Sequence, residues 1–141
     1  MSRTGTILRV DLTEGKTEKE PTSRYAKEYI GGPGIGSRLI YDHVPPEVAG
    51  TDPRNMLTFN TGPLTGTLLG NKCDVTTKSP KIVNSPIATG TFGGQFASEM
   101  KFAGYDSIAI TGKAEEPAYL LVDNDQVQIR DARHLWGLDT E

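Results

Sequence analysis

Pro86-Ile-Ala-Thr-Gly-Thr-Phe-Gly-Gly-Gln-Phe-Ala-Ser-Glu-Met-Lys-Phe-Ala-Gly-Tyr-Asp106 reads as a short strand, a small polar loop and a helix in succession. The loop, Thr89-Gly90-Thr91-Phe92-Gly93-Gly94, holds three glycines and two hydroxyls. In the helix, Phe96, Ala97, Met100 and Ala103 follow the i, i+1, i+4, i+7 rhythm of a face turned to a core. Gly104 stands where a left-handed residue would stop the helix. A glycine loop that opens into a helix N-terminus presents unpaired N–H groups and the positive end of the helix dipole, so the stretch predicts an anion seat. An ordinary glycine-rich strand-to-helix turn has the same spacing, and the residues alone leave both readings open.

Toward the N-terminus, Lys72-Cys-Asp-Val-Thr-Thr-Lys78 reads as a β-branched strand closed by Ser79-Pro80, and Asn55-Met-Leu-Thr-Phe-Asn60 alternates as another. Thr61 to Thr67 reads as a loop between them. Ser23 to Ile30 is predicted as a short helix with Tyr25, Ala26, Tyr29 and Ile30 inward, ended by Gly31-Gly32-Pro33-Gly34. A second helix follows from Ile35 to His43, with Ile35, Leu39 and Ile40 on one face, and Pro45-Pro46 stops it. Thr6 to Leu12 is a strand against which the polar Thr17 to Glu20 folds back. Beyond the central stretch, Ser107 to Thr111 is a short buried strand. Ala118 to Val122 and Gln126 to Arg130 flank Asp123-Asn-Asp125 as a hairpin. Asp131 to Gly137 reads as a loop, and Leu138 to Glu141 as the start of a further helix. The sum is about seven short strands with three short helices. Regular crossover helices do not separate the strands, which argues against a doubly wound parallel sheet and predicts a β-rich α+β fold with mixed or antiparallel sheets.

A chain of 141 residues suits one domain, 1–141, with a modest core. With 35% hydrophobic and 23% charged residues it is globular rather than disordered. Sixteen glycines exceed the usual share of about 7% and point to turns and close backbone approaches. A net charge of −3 offers no broad basic surface for nucleic acid. No apolar run reaches the ~18 residues of a membrane span, and the start shows no signal-peptide core, so a cytoplasmic setting is expected. The single Cys73 excludes an internal disulfide and an all-cysteine metal site among these residues.

Catalytic sets do not assemble from the remaining residues. Gly32-Pro-Gly34-Ile-Gly36 follows a helix rather than a strand, and the third glycine of a dinucleotide fingerprint counted from Gly34 is Leu39. Gly66 to Lys72 has one residue too few between its glycines for a P-loop, and Asn71 separates Gly70 from the lysine. His43 reads as a helix C-terminal residue, His134 as structural, Cys73 as an inert core thiol, and Arg130, Asp131 and Arg133 as a solvated charge run. What stays is the central loop. Lys72, on a preceding strand, could add an ammonium to its backbone N–H groups and hydroxyls for a phosphate.

Three stretches occur in order: Gly62-Pro-Leu-Thr-Gly-Thr67, Val75-Thr-Thr-Lys-Ser-Pro80, and Gly93-Gly94 followed by Glu99-Met-Lys-Phe-Ala-Gly-Tyr-Asp106. With Ile7-Leu-Arg-Val-Asp-Leu-Thr13, Gly31-Gly32, Gly112-Lys113, Ile129-Arg-Asp-Ala132 and His134-Leu-Trp-Gly137, they cover nearly the whole chain. The ordered set resembles the N-terminal domain of the aldehyde:ferredoxin oxidoreductase family. That resemblance implies a β-rich base carrying a tungsten (or molybdenum) bis-pterin cofactor, with a magnesium ion bridging the pterin phosphates. It implies a [4Fe–4S] cluster in later domains, and ferredoxin or another electron-transfer subunit as partner. It further implies a small carbonyl substrate, an anaerobic cytoplasm, contact with the remaining domains of the same enzyme and room for a homo-oligomer.

Carried over position by position, Lys72 stands where the family usually has an arginine on the pterin side. It keeps the charge and loses the planar fork. Thr91, in place of an asparagine, would give its backbone carbonyl to the magnesium; Phe92, Gly93 and Gly94 complete the cofactor-binding set. Gly93 matches the position where the backbone approaches the cofactor. The family domain continues further, to a second Gly/Arg-rich loop, so residues 1–141 read as a truncated N-terminal piece or a small subunit of a split enzyme, inactive alone. The reaction implied is oxidation of an aldehyde to a carboxylic acid. The alternatives are a related tungsten enzyme acting on aromatic acyl thioesters or other carbonyls, and a non-catalytic binding or assembly module.

Overall fold

The computed structural model describes residues 3–82 and 84–139. The hairpin expected at the start is β1 (Thr6–Asp11) and β2 (Lys16–Pro21), paired antiparallel with Asp11 opposite Lys16. Two helices follow, α1 (Ser23–Tyr29) and α2 (Pro33–His43), then β3 (Met56–Thr61), β4 (Cys73–Lys78) and β5 (Ile87–Phe92). Helix α3 (Phe96–Phe102), β6 (Ser107–Thr111) and the hairpin β7 (Ala118–Asp123) and β8 (Gln126–Asp131) complete the chain, with a 3-10 turn at Arg133–Leu135. Eight strands and three α-helices are thus present among the described residues, the mixed α+β class expected.

Six strands form one sheet in the order β2-β1-β6-β3-β4-β5. Only β1 and β6 run parallel within it; the other neighbours are antiparallel. Strand alternation gives the sheet two faces. On one face, Ile7, Met56 and Ala109 meet Tyr25 of α1 and Ile35, Leu39 and Ile40 of α2. On the other, Leu8, Val10 and Ile108 meet Met100 of α3 and Tyr105, with Leu120, Val122, Val127 and Ile129 of the β7–β8 hairpin packed against them. Burying each such side chain contributes about 1.5–3 kcal/mol, so the helices and the hairpin are held by these faces rather than by their own propensity.

Local chemistry sets the ends of the elements. Pro33 occupies the first turn of α2, where a missing N–H costs nothing. Gly104 has φ +98; its N–H bonds to Lys101 O and that of Tyr105 to Met100 O, the paired bonds of a Schellman stop. Helix α2 comes so close to the sheet at Gly36 that a Cβ there would lie 2.4 Å from Asn60 Nδ2 and 2.8 Å from Thr58 and Thr76 Oγ1.

Several expectations are corrected. Residues Thr89 to Phe92 are not loop: they continue β5, because pairing with β4 satisfies a polar glycine-containing segment that has no strand signal of its own. Ile30 does not point inward. It takes φ +56 after α1 has ended and is 65% exposed, since the chain must turn outward there to bring Gly32 N–H onto Thr61 O. Phe96 is 46% exposed rather than core, and Ser98 and Lys101 are buried on α3 in its stead. Thr61 closes β3 instead of opening a loop. Leu138 and Asp139 are not helical, and the rest of the helix expected there lies outside the described residues.

Candidate functional site

The β4–β5 ladder brings the predicted site residues to one end of the sheet. Its last pair is Cys73 opposite Phe92. Lys72 immediately precedes that pair and Gly93 immediately follows it, so the ammonium-bearing residue and the glycine turn leave the ladder together. Lys72, Thr91, Phe92, Gly93 and Gly94 are all exposed. The loop 62–72 leads into β4 and is tied by a Gly62 N–H to Thr65 Oγ1 bond of 3.1 Å and by Thr65 Oγ1 donating to Lys72 O at 3.4 Å.

The two faces of the strand end differ. Toward α2, Thr91 lies directly opposite Asp74, and Thr91 Oγ1 donates to Asp74 Oδ1 at 2.6 Å. Asp74 Oδ2 sits 2.9 Å from where a Cβ of Gly32 would stand, so the α1–α2 turn reaches the same place. Toward α3, the ring of Phe92 packs against Phe96 at 5.5 Å between centroids, and Phe96 against Phe59 at 5.6 Å, both tilted. The end of β5 is therefore gripped by a hydrogen bond on one face and by aromatic packing on the other.

The turn itself is open. A Cβ at Gly90, Gly93 or Gly94 would meet no atom within 4 Å, and Gly94 has φ +106, which a residue with a side chain rarely adopts. Bare backbone at the turn, with the exposed Lys72 at the start of the neighbouring strand, suits a phosphate-bearing ligand that must approach the main chain closely. Helix α3 has only seven residues, and Gln95 gives it no side-chain cap. What this end of the ladder offers a ligand is the exposed Lys72 and the open backbone of the glycine turn.

Other candidates fall where the sequence puts them. Cys73 is fully buried, and burial pushes its thiol up to about 11, an inert group at neutral pH. His43 ends α2; partial desolvation and then the Arg9 guanidinium hold its imidazole below the usual value. His134 is exposed in the 3-10 turn. Asp131 is drawn down to about 2 by the fork of Arg133, a solvated pair. An apolar groove of ≈ 690 Å³ runs between α3 and β7 over Phe59, Phe96, Ile108, Ile110 and Leu120, and none of the predicted set lines it. No group of three or more metal-ligating side chains occurs among the described residues, and no helix there is long and apolar enough to cross a membrane.

Sequence reasoning missed Asp74 and the pair Lys101–Asp106. Asp74 is the one carboxylate in a β-branched strand, which is the available signal. Lys101 lies outside the apolar rhythm of α3, and only the fold shows it buried against Asp106 at 2.7 Å.

Residues 7–141 match the family model "Aldehyde ferredoxin oxidoreductase, N-terminal domain". The chain is 43% identical over 136 residues to the tungsten-containing aldehyde ferredoxin oxidoreductase of Pyrococcus abyssi, covering 94% of this chain and 22% of that protein. It is 38% identical over 138 residues to an aliphatic sulfonate oxidoreductase, WOR-like subunit, of Pyrococcus furiosus, covering 95% and 22%. Among solved structures it is similar to the active site complex BamBC of benzoyl coenzyme A reductase in complex with 1,5-dienoyl-CoA, with a TM-score of 0.89 and 43% identity over 95% of this chain and 21% of that one. The chain thus spans about a fifth of the length of these relatives.

Proposed function

The chain belongs to the aldehyde ferredoxin oxidoreductase family through its N-terminal domain, and from that premise we propose that residues 1–141 form a single cofactor-binding domain of a tungsten-dependent (or molybdenum-dependent) enzyme oxidising aldehydes to carboxylic acids. The observation that supports it most is the convergence of Lys72 and the Thr91–Gly94 segment at one end of the β4–β5 ladder, within a domain whose relatives are tungsten-containing.

In this reading the bound metal-pterin supplies the redox chemistry, with water as the oxygen source and ferredoxin taking the electrons. The chain's own residues orient it. The Gly93 backbone, with no side chain in the way, lets a pterin edge or phosphate come close to the main chain. Gly94 permits the turn at φ +106 that directs the chain away into α3. The Thr91 carbonyl would be a ligand for magnesium, and Lys72 would supply a single-point positive charge. Phe92 takes no part in charge recognition; its tilted packing against Phe96 fixes the strand end. A [4Fe–4S] cluster, ferredoxin docking and substrate recognition are assigned to protein outside residues 1–141, in a cytoplasmic enzyme.

A second substrate class is favoured by one observation. Identity to the benzoyl coenzyme A reductase complex equals that to the aldehyde enzyme, 43% in each case. An aromatic acyl thioester is therefore the alternative substrate. The test is elemental analysis of the protein purified anaerobically from its native host, joined to two assays with a viologen acceptor or donor. Stoichiometric tungsten or molybdenum with aldehyde oxidation supports the first reading. Metal with turnover of a dienoyl-CoA only supports the second. A protein free of both metals contradicts both and leaves the binding-module alternative.

A further inference from the structure

We propose that Asp74 is a positioning residue for the cofactor-facing end of β5: it holds the Thr91 hydroxyl so that the Thr91 carbonyl and the glycine turn after it are presented to the ligand. The inference rests on the assignment of residues 91–94 to the cofactor, and goes beyond it by naming the residue that fixes their geometry.

Strand β5 lies at the edge of the sheet, and its residues from Gly90 to Phe92 are exposed. A strand end followed by two glycines has little stiffness of its own. Asp74, by contrast, sits on β4, paired on both sides, with Asn60 of β3 opposite it on one flank and Thr91 on the other. Its carboxylate is half-buried and wedged between two elements. Oδ1 accepts the Thr91 hydroxyl proton at 2.6 Å, the short distance of a charge-assisted bond. Oδ2 comes so near Gly32 that a Cβ there would be 2.9 Å away. The start of α2 thereby backs the carboxylate that anchors the end of β5.

This bond has a chemical consequence. A threonine hydroxyl has one proton, and here Asp74 takes it. Thr91 then faces a ligand with acceptors only, its carbonyl and hydroxyl lone pairs. Acceptors alone suit a cation rather than a bare phosphate. The Asp74–Thr91 pair thus makes this strand end suited to a divalent cation lying between protein and phosphate, while Lys72 at the neighbouring strand start serves the anion directly.

The test uses the full protein carrying Asp74→Ala, Asp74→Asn and Thr91→Val. It reads tungsten or molybdenum per chain, and the affinity for magnesium alone after chelator treatment. Asp74→Ala and Thr91→Val should each weaken magnesium binding about tenfold, the scale of lost outer-shell support. The double variant should be no worse than the weaker single variant, because both break the same contact. Asp74→Asn, whose amide oxygen still accepts the hydroxyl proton, should restore binding. Wild-type magnesium affinity in Asp74→Ala overturns the proposal, as does an Asp74→Asn loss equal to that of Asp74→Ala. Should Asp74→Ala fail to fold, Thr91→Val against Asp74→Asn decides alone: a loss in the first with retention in the second supports the proposal, and any other pattern overturns it. Loss of cofactor in Lys72→Ala and Gly93→Val, with none in the Asp74 and Thr91 variants, retains the cofactor site and removes Asp74 from it. Full cofactor in all of them removes the site as well.

Discussion

Lys101 Nζ lies 2.7 Å from Asp106 Oδ1 across the end of α3, with side chains 6% and 3% exposed. Asp106 also accepts the N–H groups of Thr4 at 3.0 Å and Gly5 at 2.9 Å, so the pair ties α3 to the chain that enters β1. Burial alone would push the Asp106 carboxyl up. Lys101 and the two N–H groups outweigh it and hold the carboxyl below the usual range. Removing one partner leaves the other charge buried, which costs about 3–5 kcal/mol. Asp106→Ala should therefore lower the denaturant midpoint far more than any surface carboxylate change.

The same pair sets an acid limit. A carboxyl depressed in the folded state contributes stability that is fully present above its unfolded value, about 3.9, and is lost as pH falls through the folded value. Melting temperatures should be insensitive to this group near pH 6–7 and fall below about pH 4. In Asp106→Asn the part of that slope due to this carboxylate should vanish. An unchanged slope would mean that other groups govern acid unfolding.

Gly36 and Gly93 should respond in opposite ways. The Cβ of Gly36→Ala would collide with Asn60, Thr58 and Thr76, all fully buried and fixed in the sheet. Overpacking of this kind costs about 1–3 kcal/mol, read as a lower unfolding midpoint. A Cβ in Gly93→Ala meets nothing within 4 Å, so the midpoint should stay within about 0.5 kcal/mol of wild type while cofactor content drops. A stability loss at Gly93 as large as at Gly36 would recast the turn as structural.

Cys73 should resist alkylation. Its thiol is fully buried and titrates at about 11. Mass spectrometry after iodoacetamide at pH 7.5 should find it unmodified in the folded protein and modified in denaturant. Rapid labelling without unfolding would contradict the closed packing of β4 against its neighbours.

Much of this fold could be read from local chemistry. Asp123-Asn-Asp125 announced the β7–β8 turn, Gly104 the end of α3, and Gly31 to Pro33 the break between α1 and α2. These signals are legible because each acts within a few residues. The corrections have a common cause in contacts between distant segments. Thr89-Gly90-Thr91 looks like a loop until β4 pairs with it. Ile30 looks apolar and inward until the neighbouring turn must reach Thr61. Lys101 looks solvated until Asp106 folds back over it. The site residues themselves came from the resemblance; their meeting point, and the part of Asp74 in it, came from strand register.

The most direct measurement is a crystal structure of the native protein, purified anaerobically, with anomalous data at the tungsten and molybdenum edges. The account predicts a heavy-metal peak whose pterin ligands place a phosphate against the Thr91–Gly94 backbone, with a magnesium ion at the Thr91 carbonyl and Lys72 facing the pterin side. A metal-pterin centre bound elsewhere, with the end of the β4–β5 ladder open to solvent, would contradict it.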